Sequence, residues 1–539
     1  MTADGRHSAA ATLVVAVCLA GTAALPAAGG AQNVPIASRL WHAEDRALFT
    51  DLTVVTAVAA TRSALYAATS GGLAVFDRQF RRWKETVGLL DGFPSGTVTA
   101  MAADPNEDAV WLAGAGQWIA WTPFGRRVDT GALPGFVDAV VLDARDPSRG
   151  AWFHTSAGWY FVARGALAAE PAHELPPPSS RIGGLTYAQL IARVPALDAV
   201  RFRIERSDQL RDYRITSAAV APLTNEIYVG TAGNGVFSVD PVTYAVERFP
   251  AGVLGATTGA IATFRGELCA ASDARVASVR RGISCFDESG GNVRYIESQG
   301  LAGLPGLTTR RLLITQRAIW AATDQGLVRS DRRGGRPVQL LMRDGLPSDD
   351  IYALWPAPTG VWVGTALGLA LVADTGRGPA VAKAMRSGPV IALAGAWDTL
   401  WAGTPQGLAL LPPLGDALLL VNGPGPIHEP IVALAFRGDA LVAATASRFI
   451  LRVDDGWRVA DIPGQPIGRI TAMAADTTGL WVAGTLGFAY FDPTRGLWNP
   501  LVAPGDVPLP VRDVALTRDY VWVATDAGVV RYDRRVLVP

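Results

Sequence analysis

One short pattern recurs eleven times along this chain, and it limits the fold more than any other feature. It runs as an aromatic or apolar residue, two small or apolar residues, Thr, two variable residues, Gly, and an apolar run ending near Asp. The clearest copy lies in Asp350 to Asp374, DIYALWPAPTGVWVGTALGLALVAD. Alternating apolar residues there predict three strands, and Pro356, Pro358 and Gly360 mark the first turn between them. The copies begin at Leu65, Trp111, Trp152, Tyr228, Leu268, Trp320, Trp362, Trp401, Val442, Trp481 and Trp522. Measured at the Thr position, most steps are 39 to 45 residues, while two are 51 and 76. A step near 41 fits four short strands and their turns, the size of a β-propeller blade. The expected fold is therefore all-β, a propeller array of about eleven four-stranded blades.

Each strand has its own composition. Before each core lies a short apolar strand with small residues, such as VTAVAA at Val55 and ITAMAAD at Ile470. Such strands suit the crowded centre of a ring, where both faces are packed. The second strand holds Trp111, Trp152, Trp320, Trp362, Trp401, Trp481 and Trp522 at one repeated position. That recurrence points to packing between blades, not to a ligand-stacking box. The Gly after the Thr supplies the positive φ of a tight hairpin. Polar fourth strands, such as those around Trp83 and Trp498, form the outer edge.

The chain ends bear on closure. SRLWHAED around Trp41 reads as a fourth strand with no blade before it, and the last copy stops soon after its third strand. The N-terminal segment is expected to complete the final blade and remove an exposed edge. Propellers commonly have four to eight blades, so two rings fit eleven copies, with a single large ring as the alternative. If the termini pair, one ring must be inserted within the other. The step of 76 marks an insertion at about 170–214, where TYAQLIARV reads as a helix and the alternation of Val200, Phe202 and Ile204 reads as a strand. It is a decorated connection or a lid over a binding face.

Composition narrows the class of function. Lys+Arg and Asp+Glu both total 48, which removes the basic footprint of a general nucleic-acid binder. The apolar run from Ala9 to Leu25, with Pro26 and small residues after it, reads as a signal peptide over residues 1–31. An uncleaved anchor and a lipid-anchored Cys18 are the alternatives. No later segment spans a bilayer, so the mature chain is expected to be exported, periplasmic or secreted. Only Cys269 and Cys285 then remain, on adjacent strands of one blade; they form a disulfide or stay as two buried thiols.

Chemistry-bearing motifs are scarce. The histidines show no metal-ligand spacing, and no nucleophile elbow, phosphate loop or EF-hand loop occurs, so no catalytic residue, metal or cofactor is expected. A ligand would meet the loops leading into the innermost strands, which crowd one mouth of a ring. Those loops carry Asp138, Arg310, Asp349, Asp350, His428, Glu429, Arg469, Arg512 and Asp513. Their mixed signs suit a polar small molecule or glycan, or a protein surface.

GLPSDDI at Gly345, followed by the Trp362, Gly364, Thr365, Gly368 and Leu369 core, resembles the two-component regulator propeller repeat. The resemblance recurs over about residues 50–535. It implies paired extracytoplasmic propellers that bind carbohydrate-derived signals. The matched residues build the blade. No kinase or immunoglobulin-like module follows the last blade within this sequence, which departs from the sensor pattern. The expected function is an exported, non-catalytic ligand-binding or interaction module. The alternative is a carbohydrate-active lyase or hydrolase on the same scaffold.

Overall fold

The computed structural model describes residues 39–538 apart from single residues and short stretches, the longest being 274–279, 298–307 and 462–466. The expected signal peptide, residues 1–31, lies outside the described residues. The described residues form eleven antiparallel sheets, ten of four strands and one of five. In chain order these are blade 1 (55–83), blade 2 (98–132), blade 3 (137–171, with 181–182 added), blade 4 (215–249) and blade 5 (258–297). Blade 6 (309–340), blade 7 (351–386), blade 8 (392–420), blade 9 (433–461) and blade 10 (470–501) follow, and blade 11 combines 511–533 with 46–49.

The eleven blades make one closed ring and a second group of four. The first strands of blades 5 to 11 are neighbours in sequence order, and that of blade 11 returns to that of blade 5. This closes a seven-bladed ring. Blades 4, 1, 2 and 3 adjoin in that order and make the second group. The smaller group is thus inserted between the closing strand Arg46–Phe49 and the first strand of blade 5. The closing strand lies a few residues beyond the segment expected from the sequence. Trp41 instead packs on Tyr532 at 5.5 Å, with its indole N–H donated to Asp506.

Between blades 3 and 4 the insertion takes the place of a further blade. Residues 181–182 pair with the first strand of blade 3, while Leu197, Val200 and Ile204 pack on Ile227, Val229 and Phe237 of blade 4. Tyr187–Arg193 is helical as expected. The expected strand around Val200 is not formed: Pro195–Val200 is a 3-10 turn and Arg201–Glu205 an α-helical turn. Spacing explains the correction. Leu197, Val200 and Ile204 recur at three and four residues and share the buried face, leaving Phe202 exposed.

The repeated residues act locally. Thr365 donates its hydroxyl to Gly368 O at 2.9 Å and accepts from Leu367 N at 3.2 Å, which staples the hairpin. Thr69, Thr155, Thr323, Thr404 and Thr525 do the same. Gly368 has φ 142°, and a Cβ there would lie 2.0 Å from Met385 O. The Asp that ends the third strand caps the next turn: Asp77, Asp240 and Asp492 each accept two backbone N–H groups. The tryptophans fill the spaces between blades, with Trp320, Trp481 and Trp522 wholly buried and Trp362 half-buried. Cys269 and Cys285 stand opposite each other in blade 5 and form a disulfide.

The ring and the smaller group are joined by a double crossover. Asp51 pairs with Gly252, and Val253 N donates to Thr50 O at 3.0 Å. Leu90, in a 3-10 turn after blade 1, enters the apolar cluster of Leu48, Trp481 and Tyr532 in the larger ring. Arg46 spans the junction, donating to Leu90 O at 2.6 Å and Gly505 O at 2.8 Å.

Candidate functional site

A register break places the candidate site. In nine blades the first strand carries a one-residue irregularity at its second position, among them Tyr352 in blade 7, Arg310 in blade 6 and Arg512 in blade 11. A bulge leaves the extra residue outside the regular ladder, so polar side chains are tolerated there beside an apolar strand. Around the seven-bladed ring this position is held by Gly259, Arg310, Tyr352, Ile391, Val432, Thr471 and Arg512. At this position, blades 6, 7 and 11 carry polar side chains, while blades 8 and 9 carry apolar ones.

At the polar positions the partners come from adjacent blades. Arg310 forms an ion pair with Asp350, and its guanidinium lies 4.7 Å from the centre of the Tyr352 ring. The Tyr352 hydroxyl donates to Asp350 at 2.7 Å, and this bond to the carboxylate raises the phenol pKa above its ordinary value. Arg512 lies 2.6 Å from Asp526 and 3.4 Å from the buried Asp273. Asp349 ties down its own loop by accepting from Met342 N at 2.6 Å.

Deeper in the ring, Arg311 and Asp513 face each other at 3.6 Å across blade 5. Asp513 also accepts from Ile261 N at 3.1 Å, the same cross-blade bond that Ser217 makes with Val58 N in the smaller group. Burial pushes the Asp513 carboxyl above the ordinary range, against the opposing pull of Arg311. The cavity here measures about 80 Å³ and is lined by Ala353, Ala392, Ala433 and Ala472 with this ion pair. That volume holds a few waters, far below the roughly 300–1,000 Å³ of organic-ligand sites. An organic ligand would not fit inside this cavity.

Not all nine expected residues meet. Arg310, Asp349 and Asp350 lie together, and Arg512 and Asp513 adjoin on blade 11. His428 is exposed at the end of a 3-10 turn, and Glu429 pairs with Arg448 at 2.6 Å. Arg469 is exposed, with its backbone N–H held by Thr485. Asp138 belongs to the smaller group, where it meets His154 at 2.6 Å beside Trp159. Sequence reasoning missed Tyr352, Arg311, Asp273 and Asp526. The available signal was the offset of one residue from the Asp350 and Arg310 positions, and the two hairpin turns that share their end of the ring.

Among the described residues the one His/Cys/Asp/Glu cluster with metal-like spacing is Glu267, Cys269 and Cys285. Its two sulfurs are committed to the disulfide, and Glu267 pairs with Arg294 and Arg332. The donor set does not fit a metal. Among the described residues no helix is long and apolar enough to cross a membrane.

No family model matches the chain, and no curated protein matches it. Among solved structures it is similar to the extracellular domain of a hybrid two-component system from B. thetaiotaomicron, at 12% identity and TM-score 0.42, over 90% of this chain and 70% of that one. It is similar to PorZ, a surface component of the type-IX secretion system of Porphyromonas gingivalis, at 12% identity and TM-score 0.43, over 89% and 74%. It is also similar to virginiamycin B lyase from Staphylococcus aureus at 15% identity and TM-score 0.42, over 51% of this chain and 94% of that one.

Proposed function

We propose that the chain is an exported, non-catalytic propeller of the two-component regulator type, which binds a hydroxyl-rich ligand of the carbohydrate class at the mouth of its seven-bladed ring. The observation that carries this reading is the Arg310–Asp350–Tyr352 cluster, with Arg512, Asp273 and Asp526 in line beyond it. Each arginine there is already paired with a carboxylate, so the surface offers donors and acceptors without a large net charge. Neutral hydroxyl groups answer such a surface better than a free anion or cation does. Ile391 and Val432 across the mouth would take the apolar face of a sugar ring. Export is supported by the apolar run from Ala9 to Leu25 and by the disulfide, a bond typical of oxidising compartments.

A glycan array followed by a turnover assay on each hit tests the reading. Binding that falls at least tenfold in Asp350→Ala and in Arg512→Ala, with no product released, is the expected result. Released product would replace the binding module with a lyase or hydrolase. A co-purifying protein with no glycan bound would make the partner a protein.

A further inference from the structure

The end of the larger ring opposite this mouth carries a concentration of arginine. The turns between first and second strands, and between third and fourth strands, all lie at that end of their blades. Of these four turns in blades 5 and 6, the one at 288–293 carries Glu288 and no arginine, and the other three read Arg265-Gly266, Thr315-Gln316-Arg317 and Arg332-Arg333-Gly334-Gly335-Arg336-Pro337. These turns adjoin: Arg332 N donates to Arg317 O at 3.0 Å, and the Arg265 and Arg332 guanidinium groups each lie 5.2 Å from the Phe264 ring centre. Only Arg332 is neutralised, by Glu267. Among the described residues Arg265, Arg317, Arg333 and Arg336 have no ion-pair partner, and all four are exposed. Asp331, which leads into the last of these turns, accepts from Arg333 N and faces Arg329 at 3.8 Å. In a chain whose charges cancel overall, four uncompensated arginines on adjoining turns make a local positive field.

We propose that this end of blades 5 and 6 is an electrostatic docking face for an anionic phospholipid bilayer, held by Arg265, Arg317, Arg333 and Arg336. The three arginine-bearing turns contain only Arg, Gly, Gln, Thr and Pro, with no Trp or Tyr to anchor a protein interface. Phe264 lies under two guanidinium groups and so presents no free ring for stacking bases. Gly334 and Gly335, at φ 97° and 123°, have open space where a Cβ would stand, so their loop carries no side chain that would hold its arginines off a flat surface. A sheet of mobile phosphate headgroups is the partner that needs no pocket and no fixed register. Bound this way, the opposite mouth would face away from the bilayer.

Co-sedimentation of the full chain with vesicles tests the proposal. One set is phosphatidylcholine and phosphatidylglycerol in equal parts; the other is phosphatidylcholine alone. The parent is expected to bind the mixed vesicles, to ignore the neutral ones and to be released by rising salt. Converting all four arginines to Gln should lower binding by about six hundredfold, at about fivefold for each charge. Converting them to Lys should restore it, and Arg343→Gln at the mouth end should change nothing. Equal binding of the Gln variant overturns the proposal, as does equal binding to neutral vesicles. Capture of soluble polyglutamate or heparin by the four arginines, with the mixed vesicles ignored, overturns it as well.

Discussion

Phe49 pairs with Val529 across the ladder that closes the larger ring, although the two stand near opposite ends of the described chain. Phe49 also packs on Phe286 of blade 5 at 5.1 Å and on Trp522 of blade 11 at 5.5 Å. The closing strand therefore serves two interfaces at once. Without it, blade 11 would present an open edge, and blade 5 would lose its neighbour's packing.

This makes the N-terminal strand a stability element for the whole ring. Leu48 is 4% exposed within a cluster that includes Trp481 and Tyr532. Leu48→Ala should destabilise the fold by about 2–4 kcal/mol, and deletion of residues 32–50 should lower the unfolding temperature of the seven blades together. Calorimetry showing an unchanged main transition after the deletion would remove closure from the account.

The Cys269–Cys285 bridge closes a sequence separation of 16 within blade 5. A crosslinked loop of that length restricts the unfolded chain by about 3 kcal/mol in the loop-entropy treatment. The double Cys→Ala variant should lose stability of that order in denaturant titrations. Peptide mapping without reductant should recover the linked pair, and two free thiols would contradict the bridge.

Thr365 is wholly buried and satisfies both Gly368 O and Leu367 N through one hydroxyl. Thr365→Val keeps the shape and leaves both groups short of a partner, at a cost of about 1–2 kcal/mol. The same substitution at Thr375, whose hydroxyl sits on an exposed turn, should matter much less. Equal losses at both sites, measured by urea unfolding, would deny the buried staple its special weight.

What was legible in the sequence was whatever a hairpin requires of its own residues. Thr, Gly and the terminal Asp each answer a demand arising within four residues, so they recur and count the blades. Contacts between blades are different, because neighbours across a ring lie about forty residues apart. Asp273 and Asp526 meet Arg512 only because blade 11 returns to blade 5, which no local pattern announces. Tyr352 read as one more apolar strand residue until the bulge beside Ile351 set it beside Arg310. Val200 and Ile204 deceived for a related reason: alternation in a short window matched a strand, while their four-residue spacing matched the surface of blade 4.

Asp476 offers a test in which the sign of the pH effect is the evidence. Burial pushes its carboxyl upward, but bonds from Thr478 and the Trp481 indole, with Arg534 beside it, outweigh that and hold it below the ordinary range. A carboxyl lower in the folded state than in the unfolded one binds fewer protons when folded. Its stabilisation is therefore full above the ordinary carboxylate range and drains away as pH falls through the folded value. Asp513 acts in the opposite sense, since burial raises it and its contribution falls as pH rises. Asp476→Asn separates the two: it keeps an acceptor for Thr478 N but turns an amide toward the donors of Trp481 and Arg534. The variant should be about 1–3 kcal/mol less stable than the parent at neutral pH. That gap should close on acidification, because the parent loses what the variant never had. A gap constant from neutral to acid pH would mean that Asp476 supports blades 10 and 11 by shape alone.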